Sequence, residues 1–352
     1  MIPNTVLDQI NLQSCLEQEA AAASEFSNFK EKYVIDGSID YPDPEYLIQI
    51  GGVGTLPKGN LVAVSAKWKN GKTFFCDILS AIFLGSDIYA HCGNLLEHGK
   101  VSFFDTEQAK NDTARILKTI WAITPEERHR DIEVSCLRDA DIAIDDESEE
   151  ISRYEFVRRS IELEHPDLVI IDGIADLIYN YNDVIESQLM VNNLATLANK
   201  HNCCIVVVMH QNKGSRDKNM KGHLGTMLYQ KCSDVFNVEK HGNLFVVSHT
   251  VSRHRQCEEL TFKLDESAVP MDAAAERQLQ VEIENKQHES HLREMLADLV
   301  PEDGSPVKRR EIVEGLVKNY GYKKFKCYDI VKNAIRQGWL EEIDSRLVKL
   351  KA

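Results

Sequence analysis

From about Leu47 onward, short apolar runs rich in β-branched residues alternate with stretches in which apolar side chains recur every three to four positions. The runs LVAVSA (61–66), KVSFFD (100–105), IEVSCL (132–137), DLVIID (167–172) and CCIVVVM (203–209) predict strands. The fourth and fifth are apolar almost throughout, the pattern of central strands covered on both faces. NLFVVSHTVS (243–252) and ELTFKL (259–264), separated by RHRQCE, predict a terminal antiparallel pair. Strands alternating with amphipathic helices predict an α/β fold with a mostly parallel central sheet flanked by helices.

The flanking segments have a different character. Residues 1–46 carry helical patches, notably Leu16 to Lys32, and end in the breaker-rich DGSIDYPDPEY, which predicts an N-terminal helical arm before a core at 47–265. Asp139 to Glu150 holds seven acids in twelve residues and reads as a solvated connection. Residues 266–289 are polar and charged, with a helical patch ERQLQVEIENKQHES, and are expected to link the core to a module at 290–352. That module reads as the helices HLREMLADLV, VKRREIVEGLVKNY and KFKCYDIVKNAIRQ, then two short strands, WLEEI and RLVKL. Ile312, Leu316 and Tyr320, with Tyr328, Val331 and Ile335, recur at helical spacing and are expected to share a small core.

Charge refines this division. The 352 residues carry a net charge of -15, which by itself argues against a nucleic-acid partner. From Ser305 to Ala352, however, twelve Lys and Arg stand against six Asp and Glu, a net of +6, so the preceding 304 residues carry -21. A basic module follows an acidic body. No apolar run of about 18 residues is present, and the N-terminus has neither a basic stretch nor an apolar core, so a cytoplasmic protein without membrane contact is expected. The nine cysteines show no ligand spacing and read as reduced thiols.

The chemistry begins where LVAVSA runs into Ala66-Lys67-Trp68-Lys69-Asn70-Gly71-Lys72-Thr73-Phe74 and then an apolar helix. Strand, loop and helix in this order form a phosphate-binding loop: backbone N–H groups and the helix N-terminus cradle phosphates, the Lys reaches their outer oxygens, and the Thr hydroxyl holds magnesium. Ala66 stands where the usual pattern has its first glycine, so the motif is degenerate at one position. About 100 residues later, Leu168-Val169-Ile170-Ile171 ends in Asp172, a carboxylate at the end of a buried strand, as the magnesium-orienting acid of such a site requires. ATP and Mg2+ are the expected ligands.

These motifs resemble the RecA-like branch of P-loop ATPases, and within it the RepA-type replicative helicases and the DnaB/KaiC-like group, over roughly 48–265. The approach TLPKGNLVAVSAKWKNGKT and the strand ending Phe103-Phe104-Asp105-Thr106-Glu107 carry the likeness. The resemblance implies that Glu107 polarises the attacking water. It implies a γ-phosphate sensor among His210 and Gln211, with Gln211 preferred, and a cation presented to the neighbouring subunit by Arg253 or Arg255. Arg115 sits where related proteins often carry an Arg. The basic stretch with Lys213, Arg216, Lys218 and Lys221 resembles a loop that follows single-stranded DNA in the pore of a ring, so a homo-oligomer such as a hexamer is implied.

The last 63 residues resemble a winged helix-turn-helix. That likeness implies duplex DNA contacts from Lys323, Lys324, Lys326, Lys332 and Arg336, with Lys349 on the wing. Together these readings describe an ATP-hydrolysing DNA motor or remodelling ATPase serving plasmid or mobile-element replication. Two alternatives stand beside it: an ATP-gated DNA-binding regulator that hydrolyses little, and a non-enzymatic DNA-binding protein with a relic loop. A small-molecule kinase would use the same loop and Asp172, but no lid segment follows the helices.

Overall fold

A computed structural model describes residues 21, 23–31, 33–141, 151–214, 217–301, 303, 305–344 and 346–350. The chain divides into two units, Met1–Glu45 and Tyr46–Ala352. In the first, residues 21, 23–31 and 33 are helical, here α1, and carry exposed Phe26 and Phe29, with Phe29 stacked on Tyr33 at 6.2 Å. Most of the acidic stretch, 142–150, lies outside the described residues, as do Arg216 and residues 1–20.

The second unit is built on a nine-stranded sheet. Its parallel part has β9 (Asp234–His241), β3 (Leu61–Ala66), β8 (Cys204–His210), β7 (Leu168–Asp172), β5 (Val101–Asp105) and β6 (Ile132–Cys136) side by side in that order. β10 (Leu244–Ser252), β11 (Leu260–Leu264) and β12 (Pro270–Asp272) continue it beyond β9 in antiparallel fashion. Alternation along each strand divides the apolar residues between two cores. Val62, Val64, Phe103 and Ile170 pack with α2 (Lys72–Phe83) and α3 (Lys110–Ala122) on one face. Leu61, Ala63, Val169 and Ile171 pack with α4 (Arg153–Glu164), α5 (Val184–His201) and α6 (Gly222–Lys231) on the other. Each fully buried Ile, Val, Leu or Phe contributes about 1.5–3 kcal/mol, so the two faces together hold the sheet and fix the register of its strand ends. A small sheet of β1 (Tyr46–Ile50), β2 (Val53–Pro57) and β4 (Cys92–Asn94) precedes and flanks this core.

All seven expected strands of the core are present, and β10 and β11 pair antiparallel. Periodicity did not reveal the short β1, β2, β4 and β12, nor, within the parallel part of the sheet, β9, DVFNVEKH, which sits next to the phosphate-loop strand. Asp234 and Asn237 interrupt its apolar pattern, and both are buried. Their polarity is satisfied locally: Asp234 binds His249 at 2.9 Å and Ser233 at 2.8 Å, and Asn237 accepts from Gln211 at 2.5 Å.

Helix α7 (Ala274–Ala297) spans most of the segment expected to be a linker; its last turn places Met295 and Leu296 in a third core. That core also takes α8 (Arg309–Tyr320), α9 (Lys324–Arg336) and a three-stranded antiparallel sheet, β13 (Val307–Lys308), β15 (Leu347–Leu350) and β14 (Leu340–Glu342). The buried face of α9 is Cys327, Ile330, Val331 and Ala334, and Tyr328 is half exposed at 50%, contrary to the expectation that it joins the core. A shift of one position in reading the helical stripe accounts for the difference. The eight described cysteines are free thiols, and no helix among the described residues is long and apolar enough to cross a membrane.

Candidate functional site

β3 is flanked on both sides by parallel strands, and its chain leaves the sheet at Ala66. Ala66 is buried and in register with His210 and Val238, in ordinary strand geometry. The positive φ angles fall later, at Lys69 (60°) and Gly71 (80°). Gly71 is required twice over: its left-handed backbone disfavours a side chain, and a Cβ there would lie 2.6 Å from the Phe245 ring. α2 then begins at Lys72 with no side-chain cap and no acid in its first turn, so its first N–H groups and the positive end of its dipole are left to an anion.

Lys72 is buried, and its Nζ lies 3.0 Å from His210 Nδ1. The other ring nitrogen, Nε2, faces Glu107 Oε1 at 3.4 Å. Thr73 Oγ1 donates to Asp172 Oδ2 at 2.5 Å. Burial pushes the Asp172 carboxyl up to about 6 despite the Thr73 hydrogen bond, with nearby Glu107 and Asp105 adding to the rise. Burial likewise lowers Lys72, opposed by the charges of Asp172 and Glu107. The hydrogen bond from His210 holds Glu107 below its ordinary value. Asp105 fixes the turn that carries Glu107: its Oδ1 accepts from the N–H groups of Glu107 and Gln108, each at 3.0 Å, and its Oδ2 accepts from Thr113 at 2.7 Å.

These groups open into a cavity of 850 Å³, ample for a nucleotide. Trp68 through Phe74 line it, as do Glu107, Asp172, His210 and Arg115, whereas Ala66 and Lys67 do not. Lys67 instead lines a neighbouring 450 Å³ cavity, together with Gln211, Lys213 and Lys221. Of the two sensor candidates it is His210 that touches the phosphate-loop lysine. Gln211 is turned into the sheet, donating to Ser65 Oγ at 3.3 Å and to Asn237.

Several wall residues were not found from sequence. Lys240, Phe245 and the β11–β12 turn at Leu264 and Ser267–Val269 close one side, brought there by pairing with the unrecognised β9. Asp77, one helical turn beyond Thr73, also lines the cavity; it is 1% exposed and its Oδ1 has no hydrogen-bond partner. Burial raises its carboxyl well above the ordinary range, and Asp172 and Asp105 raise it further. A lone acid inside the apolar helix FFCDILSAIF was a legible signal. Among the described residues no group of three or more His, Cys, Asp or Glu converges as a self-sufficient metal site. A magnesium ion bound with a nucleotide takes few protein ligands, and the Thr73 hydroxyl and the Asp172 carboxylate are groups here that would suit it.

The remaining candidates lie elsewhere. Arg253 and Arg255 are exposed on the bend after β10 and do not line this cavity; an Arg253 guanidinium nitrogen donates to the Lys231 carbonyl at 2.9 Å. In the basic loop, Lys213 is exposed, Lys218 pairs with Glu239 at 2.7 Å, and Lys221 lies over the Tyr181 ring at 4.6 Å. Lys323, Lys324, Lys326, Lys332 and Arg336 are all exposed along α9 and its cap, and Lys326 lies 5.2 Å over the Tyr322 ring.

Comparison with known families gives one match: a model described as an AAA domain covers residues 27–216, from α1 through β8 and into the basic loop. No curated protein matches the chain.

Proposed function

The chain belongs to the AAA domain family, a premise that makes it an ATPase of the P-loop class, and from it we propose a magnesium-dependent DNA motor or remodelling ATPase assembled as a ring. The observation that carries the ATPase reading is the Thr73–Asp172 hydrogen bond of 2.5 Å beside the buried Lys72 ammonium, at an uncapped helix N-terminus in a nucleotide-sized cavity. In this reading Lys72 and the loop amides hold the β- and γ-phosphates. Thr73 and Asp172 hold magnesium, which when bound neutralises charge on those phosphate oxygens. Glu107 orients a water for attack on the γ-phosphorus and takes its proton as the β,γ-bridging oxygen departs. His210 senses the γ-phosphate, because an incoming phosphate competes with it for Lys72. A neighbouring subunit's Arg253 or Arg255 adds positive charge.

DNA enters the reading through charge. The net +6 of the last 48 residues and the exposed cations of α9 support duplex binding by the C-terminal module, whose three helices and small antiparallel sheet suit a winged helix-turn-helix. Lys213, Lys218 and Lys221, with Arg216, support contact with a single strand. The likeness to RepA-type helicases supports service in plasmid or mobile-element replication. A gated regulator with little hydrolysis is the second reading, favoured by the engagement of Lys72 with His210.

Steady-state ATP hydrolysis with and without single-stranded DNA, for wild type and for a Lys213→Glu/Lys221→Glu variant, separates the two. The motor predicts DNA stimulation that the variant loses while its DNA-free rate persists. Tight ATP binding with negligible turnover in both conditions contradicts the motor and favours the regulator.

A further inference from the structure

Within the nucleotide cavity, one buried carboxylate has no part in the reading above. Asp77 is the one charged residue of α2 after its first turn, and there the same helix face that presents Thr73 presents a carboxyl group one turn later. Asp77 is 1% exposed, it lines the cavity that also holds Thr73 and Asp172, and its Oδ1 is buried without a hydrogen-bond partner. A buried carboxylate oxygen left unpaired is costly, on the order of 1–3 kcal/mol or more when charged, and in native proteins such an atom signals a missing proton, water or ion.

The possible partners narrow quickly. Asp77 Oδ1 has no protein partner among the described residues, and the negative charges of Asp172 and Asp105 oppose ionisation of its carboxyl. Asp105 is satisfied by Glu107, Gln108 and Thr113, which leaves Asp77 and Asp172 as the carboxyls that line the cavity near Thr73, and the group that such a pair would accept is a hydrated divalent cation. Asp77 lies one helical turn beyond Thr73, so its contact with a cation held by Thr73 and Asp172 passes through water. Magnesium keeps several of its waters when a nucleotide supplies its phosphate oxygens, and each such water is a strong donor.

We propose that Asp77 is an outer-sphere member of the divalent-cation site, accepting through Oδ1 a hydrogen bond from a cation-bound water and thereby raising cation affinity. The proposal rests on the nucleotide reading of the cavity and deepens it. Asp77 is a positioning residue: it touches the cation's hydration shell and not the reacting phosphate.

The test uses Mn2+ as probe on the full chain, with its binding in the presence of ADP followed by electron paramagnetic resonance. ADP affinity in EDTA, where no cation is present, is measured alongside. Asp77→Leu fills the space without an acceptor, and Asp77→Asn keeps a neutral acceptor. Loss of an outer-shell partner typically weakens metal affinity by about 10–100-fold, and that is expected for Asp77→Leu, with Asp77→Asn intermediate and ADP binding in EDTA unchanged in both. Wild-type Mn2+ affinity in both variants, with ADP binding intact, overturns the proposal. Failure of the nucleotide reading is distinguishable, because the wild-type chain then binds no ADP with or without Mn2+; that result overturns both.

Discussion

Lys72 Nζ sits 3.0 Å from His210 Nδ1, so the phosphate-loop lysine is held by the last residue of β8, and the opposite ring nitrogen of the same histidine faces Glu107 at 3.4 Å. One imidazole thus connects the cation proposed to bind phosphate to the acid proposed to activate water. Parallel pairing of β3 with β8 produces this: Ala66, the last residue of β3, is in register with His210, so the loop must pass over it.

Removing the imidazole has a signed consequence for Glu107. The hydrogen bond from His210 lowers the Glu107 pKa, so in His210→Ala the carboxyl titrates at higher pH. In the base role proposed for it, Glu107 works only when ionised. The acidic limb of the kcat/KM profile for ATP therefore moves to higher pH in this variant. A pH–rate series on both proteins checks it, and an unmoved limb shows that His210 does not hold Glu107 during turnover.

Asp172 makes a stability prediction of definite sign. Its folded pKa of about 6 lies above the ordinary 3.8, so the folded chain binds the proton more tightly than the unfolded chain does. The resulting destabilisation is full above pH 6 and vanishes below about pH 4, and a shift of this size corresponds to on the order of 2–3 kcal/mol. Asp172→Asn, which keeps an acceptor for Thr73, is expected to raise Tm at pH 7 without magnesium or nucleotide, and that gain is expected to disappear by pH 4. Thermal melts of both proteins across this range provide the measurement.

Two loop positions behave oppositely. Gly71→Ala meets the Phe245 ring at 2.6 Å in a left-handed backbone, so it is expected to cost about 1–3 kcal/mol and to lower nucleotide affinity. Ala66→Gly is expected to leave ATP affinity near wild type, since Ala66 has strand geometry and does not line the cavity. Nucleotide titrations on both variants test the pair. A large gain in affinity with Ala66→Gly contradicts the view that the alanine is accommodated without distortion.

Much of this geometry was readable from the chain, for identifiable reasons. The parallel strands announce themselves because burial on both faces demands unbroken apolar runs such as LVIID, and Lys72, Thr73 and Asp172 stand at the ends of such runs, where a site must lie. β9 escaped because its buried polar groups are matched by partners distant in sequence: Asn237 by Gln211 and Asp234 by His249. The same partnership explains why Gln211, attractive as a sensor, points into the sheet while His210 faces the cavity; successive strand residues project to opposite sides. The far wall at Phe245 and the β11–β12 turn depends on strand pairing that no local motif encodes.

The bend after β10 offers a test across subunits. Arg253 and Arg255 do not line the cavity of their own chain, so the arginine-finger role proposed for them requires a neighbouring subunit. An Arg253→Ala/Arg255→Ala protein is expected to bind ATP but not turn it over. Mixing it with inactive Glu107→Gln protein is expected to restore partial hydrolysis, because some interfaces then combine an intact Glu107 with an intact arginine pair. Absence of any recovery in mixed assemblies contradicts the trans role.

The central claim is that the cavity beneath Lys72 binds ATP and that Glu107 activates water there. The most direct measurement compares ATP binding with single-turnover hydrolysis, in magnesium, for wild type, Lys72→Ala and Glu107→Gln. The account predicts that Lys72→Ala loses binding, while Glu107→Gln binds as wild type does and hydrolyses about 100–10,000-fold more slowly, the usual contribution of a positioned base. Wild-type hydrolysis by Glu107→Gln, or undiminished binding by Lys72→Ala, contradicts it.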